Sequence, residues 1–343
     1  MQNFHFVRAA DVAAAVRAGG ASPTAQQGAR VRFLAGGTTL VDLMKLDVEQ
    51  PEYVVDINRL PLDEVESTPD GGLLIGALVR NADLAQDEIV QVDYAVLSQA
   101  LMAGASAQLR NMASTGGNLL QRTRCVYFRD PASPCNKRDP GSGCPAIQGF
   151  HRNLAVLGTS EHCVASNPSD MNVALMALEA TVHIEGMQGR RTVPIGDFFY
   201  LPGDTPQRET VLQAGDLVTH VSLPAPRQGS RSVYLKLRDR ASYEFALASA
   251  AVVLGIADGR IDHVRVALGG VGTRPWRAPE AEALLQGQAP DEGVFRAAAD
   301  AALRDARPLR DNGFKVELAR RCLVQALRQA AAEPAAAGAG VSR

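Results

Sequence analysis

The chain has 343 residues, 46% of them hydrophobic and 21% charged, with a formal net charge of −2 and a pI near 6.3. That length is enough to bury a core without disulfide staples and suggests two or three domains. The near-neutral balance and an aromatic content of 5% count against a nucleic-acid binder, and no apolar run approaches the ~20 residues of a membrane span.

In chain order, the opening MQNFHFVRAADVAAAVRAGG lacks a basic segment leading into an apolar run, so no secretory signal is expected. Residues 10–18 predict a short Ala-rich helix ending at Gly19-Gly20. Val31, Phe33 and Ala35 alternate as in a strand. Gly36-Gly37 then turns, and Thr38 or Thr39 is placed to cap an amphipathic segment from Leu40. Residues 53–57 complete a predicted β-α-β opening. A strand is expected over 73–77, a helix start at Asn81 or Asp83, and helical character over 94–109. Strand-like runs TVHIEG, RRTVPI and DLVTHVSLP fill 180–223. Pro224, Pro226 and RQGSR read as a linker.

Beyond the linker, SVYLKLR, FALASAAVVLGIA and IDHVRVALGGVG predict three strands, with Gly259 in the turn between the last two. Three helical segments follow, so this part is expected to be α+β. The last residues, AAEPAAAGAGVSR, are low in complexity, and 332–343 are expected to be disordered.

Two Gly-rich turns stand out: Ala35-Gly36-Gly37-Thr38-Thr39-Leu40 and Ser114-Thr115-Gly116-Gly117-Asn118. Glycine lets backbone N–H groups approach an anion unobstructed, and a following helix adds its dipole. Neither turn has the spacing of a Rossmann or Walker site. Asp170, in Asn-Pro-Ser-Asp, is a candidate acceptor for ribityl or ribose hydroxyls and a candidate N-cap for the helix that follows. Each turn alone is also compatible with an ordinary tight turn.

Four of the five cysteines cluster: Cys125, Cys135, Cys144 and Cys163, separated by nine, eight and 18 residues. Four thiolates complete a tetrahedral zinc site or a [4Fe–4S] cluster. The spacing fits neither the CxxC of zinc ribbons nor the CxxCxxC of bacterial ferredoxins. The segment is rich in turn formers, and a loop of about 40 residues without packed structure is unusual, so a cluster would give it an interior to wrap. Zinc and uncoordinated cysteines remain the alternatives. Arg122, Arg124, Arg129, Lys137 and Arg138 either offset thiolate charge or are solvated. Cys322, in a helical pattern, reads as a small buried hydrophobe.

LAGGTTL, ASTGGNLLQ, ASNPSD and YLKLRDRASYEFALASAA resemble the flavin-binding medium subunit of the xanthine dehydrogenase and molybdenum hydroxylase family. The roughly 40 residues between TGGN and NPSD resemble the insertion of family members with an extra [4Fe–4S] cluster, above all the FAD subunit of bacterial three-subunit aldehyde oxidoreductases. The match to a 4-hydroxybenzoyl-CoA reductase subunit is poorer.

The resemblance implies an α+β protein. A p-cresol-methylhydroxylase-like FAD-binding domain over 1–224 has lobes of about 1–58 and 59–224 and an iron–sulfur insertion over about 122–163. A smaller α+β domain follows over 228–331. It further implies that Leu34, Ala35, Gly36, Gly37, Thr38, Thr39 and Leu40 contact FAD, together with Thr115, Gly116, Gly117 and Asn118. Asp170 would bind a cofactor hydroxyl and Lys236 would lie close to the flavin, where its charge favours an anionic reduced ring. The four cysteines would hold the cluster.

Partners implied are a large molybdenum-cofactor subunit and a small [2Fe–2S] subunit, with an external electron acceptor. No catalytic residue is expected on this chain. A self-contained flavoprotein oxidoreductase and a zinc-stabilised scaffold are the rival readings. Folding in the cytoplasm is expected, and co-export with a twin-arginine partner is compatible with the resemblance.

Overall fold

The computed structural model describes residues 1–332; residues 333–343, on which most of the expected disordered tail falls, lie outside the described residues. The chain forms three sheets in succession. The first is parallel, with strands β1 (His5–Arg8), β2 (Val31–Leu34) and β3 (Tyr53–Asp56) in the order β1-β3-β2. Helices α1 (Val12–Gly19) and α2 (Leu40–Lys45) make the crossovers. The sequence reading missed β1, because all four of its residues are exposed and carry no burial pattern. Asp11 caps α1 through its side chain. Thr39 occupies the cap position of α2 without a side-chain cap bond, so the expected threonine cap is absent.

The second sheet is antiparallel, in the order β4-β5-β8-β6-β7. Its strands are β4 (Val65–Ser67), β5 (Leu73–Gly76), β6 (Thr181–Gly186), β7 (Gly189–Pro194) and β8 (Leu217–Leu223). Helices α3 (Asn81–Gln86), α4 (Glu88–Asp93), α5 (Ala95–Ala103) and α6 (Ala107–Met112) come between β5 and β6. The helical run expected over 94–109 is thus two helices. It breaks at Gly104-Ala105, where Ala105 has φ 52°, and restarts with Ser106 as a side-chain cap. The second Gly-rich segment is a short helix, α7 (Thr115–Leu119), and not an open turn, because the Ser114 hydroxyl accepts from the Gly117 N–H and starts it.

Helix α8 (Val126–Arg129) lies in the cysteine segment, and α9 (Asp170–Ala177) follows it. Ser169 caps α9 through Asn172 N–H, so the expected capping role of Asp170 falls to its neighbour. Asp170 is the first helical residue, where a carboxylate favours the helix dipole. Helix α10 (Ile195–Phe198) closes this part.

The third sheet has β9 (Arg231–Leu237), β10 (Ala248–Ala257), β11 (Arg260–Gly269) and the short β12 (Trp276–Arg277), antiparallel in the order β12-β11-β10-β9. Helices α11 (Pro279–Leu285), α12 (Glu292–Ala302) and α13 (Phe314–Ala331) cover one face. Side chains alternate across a strand. Ala248, Ala250, Val252 and Leu254 of β10 therefore pack under those helices, while Ala251 and Tyr234 join the core built around α5 and α9. The same alternation puts Lys236 on the α9 side, opposite Ser249. This sheet face is what brings the third unit to the site.

Candidate functional site

The two glycine segments meet. Gly36 is packed so closely on the Met112 carbonyl that a Cβ there would lie 1.7 Å from its oxygen, and Arg80 ties that carbonyl to Asn58. Gly37 has φ 75°, which glycine adopts without strain. Gly116 sits against Ala77, and its N–H donates to the Ala77 carbonyl.

Two cavities meet at this contact, with Thr38, Thr39 and Gly117 in both walls. One, of about 210 Å³, is lined by Gly36, Gly37, Leu40, Ser114, Gly116 and apolar side chains from β2 and β8. The other, of about 650 Å³, continues past Asn118, Asp170 and Lys236 to the third sheet. Together they suit a long ligand with one apolar and one polar end. Five cationic side chains (Arg110, Arg124, Arg129, Lys236, Arg240) face three carboxylates (Asp42, Asp170, Glu244) in the larger cavity, an excess that favours a phosphate-bearing ligand. Asn81 Oδ1 is buried at its wall without a hydrogen-bond partner.

Of the expected FAD contacts, Ala35 to Leu40, Gly116, Gly117, Asn118, Asp170 and Lys236 line these cavities. Two do not. Leu34 ends β2, and its carbonyl accepts from Ile57 N–H. Thr115 is buried with its hydroxyl donating to the Val79 carbonyl, and its neighbour Ser114, which lines the smaller cavity, uses its hydroxyl to cap α7. Asn118 Oδ1 accepts from the Ser169 hydroxyl at 2.8 Å.

Lys236 is not a free cation. Its Nζ donates to Asp170 Oδ2 at 2.8 Å and to the Ala103 carbonyl at 3.0 Å, and both members of the pair are buried. The other carboxylate oxygen accepts from the Tyr234 hydroxyl. Burial, with Asp170 beside it, pushes the Tyr234 pKa well above the ordinary value. Asp170 thus already shares the positive charge that the resemblance places near the flavin. Tyr234 was missed, though it lies two residues before Lys236 on one strand face.

The four clustered cysteines form no disulfide with one another and converge on a single small enclosed space. Burial pushes Cys125 up to about 11 and raises Cys144 and Cys163, and the sulfurs raise one another. Against that rise, backbone amides of Tyr127 and Phe128 lower Cys125, those of Ala146 and Val164 lower Cys144, and that of Ala165 lowers Cys163. Among the described residues, no group of three or more His, Cys, Asp or Glu side chains is arranged for a metal ion.

The cations of this segment are not simply solvated. Arg124 and Arg129 pair with Asp42, and Arg138 donates to the carbonyls of Tyr127 and Phe128. Arg122 and Lys137 share Glu209. Cys322 is buried beneath the third sheet, away from the cluster, as expected. Among the described residues, no helix is long and apolar enough to cross a membrane.

Residues 2–226 match the family described as the FAD binding domain in molybdopterin dehydrogenase, and 233–332 match the CO dehydrogenase flavoprotein C-terminal domain. The chain is 51% identical over 314 residues to the aldehyde oxidoreductase FAD-binding subunit of Escherichia coli, covering 91% of this chain and 95% of that one. It is 30% identical to the carbon monoxide dehydrogenase medium chain of Hydrogenophaga pseudoflava, over 83% of each. The solved carbon monoxide dehydrogenase of that organism, lacking the Mo-pyranopterin moiety, superposes with a TM-score of 0.74 at 28% identity, covering 96% of this chain and 97% of that one. Both family models and the Escherichia coli relative are described by FAD or as flavoprotein.

Proposed function

The chain belongs to the FAD-binding medium subunits of the xanthine dehydrogenase and molybdenum hydroxylase family, and from that premise we propose that it is the FAD- and [4Fe–4S]-carrying electron-transfer subunit of a molybdenum-dependent aldehyde oxidoreductase. It is a component of an oxidoreductase complex whose partners are a large molybdenum-cofactor subunit and a small [2Fe–2S] subunit. Bound FAD would supply electron-accepting chemistry between the aldehyde-oxidising partner and an external acceptor. The chain's own residues bind, orient and set charge.

The observation that carries the reading is the convergence of both glycine segments on one paired cavity. Backbone N–H groups of 36–40, with the Thr38 and Thr39 hydroxyls, would hold the diphosphate against the wall formed by Gly116 and Gly117, whose own N–H groups are taken up by Ala77 and Ser114. The cationic excess supports that placement. Asp170, fixed by Tyr234 and Lys236, would present its carboxylate edge to a cofactor hydroxyl.

Support for the cluster is the donor set. Four thiols share one space, and neighbouring backbone amides favour the thiolate at three of the sulfurs. A cube spreads its four sulfur ligands over separate corners, whereas zinc gathers them around one atom.

The test is aldehyde-driven flavin reduction. The purified chain alone should show none, and adding both partners should restore it. Reduction by the chain alone would favour a self-contained flavoprotein.

A further inference from the structure

Lys137 has an unusual setting for a lysine. Only 8% of it is exposed, and its Nζ donates to Glu209 Oε1 at 3.0 Å and to the Pro206 carbonyl at 3.0 Å. Glu209 Oε2 accepts from Arg122 Nε at 2.5 Å, and Arg122 continues to Glu49 Oε1 at 2.6 Å. Glu49 is in turn bound by Arg32 at 2.8 Å and 3.0 Å. Three cations thus share two carboxylates, leaving one positive charge over along a partly buried chain.

That chain ends at the thiols. Lys137 and Cys163 line the same enclosed space. A nearby fixed charge acts strongly where water is excluded. Net charge and burial are among the levers that set cluster potentials.

We propose that Lys137, held in place by Glu209, is the positioning residue that sets the reduction potential of the iron–sulfur cluster at Cys125, Cys135, Cys144 and Cys163. The inference rests on the cluster reading above. An electron added to the cluster is favoured by the ammonium and disfavoured by the carboxylate, so removing each should move the potential in opposite directions.

The experiment is a redox titration of the assembled complex followed by electron paramagnetic resonance. Lys137→Met should shift the cluster midpoint to more negative potential, and Glu209→Gln should shift it to more positive potential. Lys137→Arg should return it towards wild type. If Lys137→Met does not fold, Lys137→Gln keeps an N–H towards the Pro206 carbonyl and reports the same sign.

Unchanged midpoints, or shifts of one sign in both single variants, would overturn the assignment while leaving the cluster in place. A wild-type complex showing no iron–sulfur signal beyond the partner's clusters would instead overturn the cluster reading itself.

Discussion

Gly36→Ala should separate the two segments that make the cofactor cavity. The new Cβ would lie 1.7 Å from the Met112 oxygen and 2.6 Å from its carbonyl carbon. Reaching even 3.0 Å from the oxygen requires an opening of about 1.3 Å. The obstacle is backbone, and Arg80 holds that carbonyl at 2.7 Å, so no side-chain rotation relieves it. Overpacking of this kind costs about 3 kcal/mol, the upper part of its usual range. If seating FAD requires the closed arrangement, the loss in affinity is roughly a hundredfold.

Gly28→Ala is the control. Its φ of 80° imposes backbone strain of about 1–2 kcal/mol, but nothing lies within 4 Å of the added Cβ, and Gly28 lines neither cavity. Flavin fluorescence titration of deflavinated protein reads affinity, and thermal melting reads stability. Gly28→Ala should lower the melting temperature and bind FAD normally. A Gly36→Ala variant that binds FAD within about threefold of wild type would refute the geometry, since hundredfold weakening is expected.

Other consequences are as direct. Lys236→Met should destabilise the full chain by about 3 kcal/mol by leaving Asp170 buried with only Tyr234, and combining it with Asp170→Asn should recover about 2 kcal/mol in a double-mutant cycle of urea melts; additive losses would contradict the pairing. Glu209 is held down to about 2, from an ordinary 4.5, by Arg122 and Lys137 against the effect of burial. Its stabilisation is complete above pH 4.5 and fades as pH falls towards 2, so the melting-temperature gap between wild type and Glu209→Gln should narrow across that window. Cys135→Ala should deplete bound iron, whereas Cys322→Ala, which removes a thiol that burial pushes up to about 12, should leave iron unchanged and cost about 1 kcal/mol.

Much of the frame was legible because burial leaves a periodic trace. β6, β8, β10 and β11 carry apolar runs or alternation, and α12 and α13 carry a helical stripe. β1 was not legible: its four residues are all exposed, and only its pairing with β3 defines it. The short helix α7 looked like a turn because two glycines weaken any helical pattern, and the Ser114 cap overrides them.

The site shows the same division. Residues 35–40, 116–118 and 170 are visible as Gly-rich or Asx-rich punctuation. What the sequence could not disclose is which hydroxyls turn inward, as Thr115 does, and which charges are already shared. The Asp170–Lys236 bond joins residues 66 positions apart. Glu209 gave no local signal, although it joins two cations from 72 and 87 positions away.

The most direct test is the metal and flavin content of the anaerobically purified chain, with its visible absorption spectrum. About four irons, about four labile sulfides and one FAD per chain are expected, with a broad iron–sulfur absorption beneath the flavin bands. A yellow protein with one FAD and no iron, or a colourless protein holding zinc, would contradict the presence of both cofactors on this polypeptide.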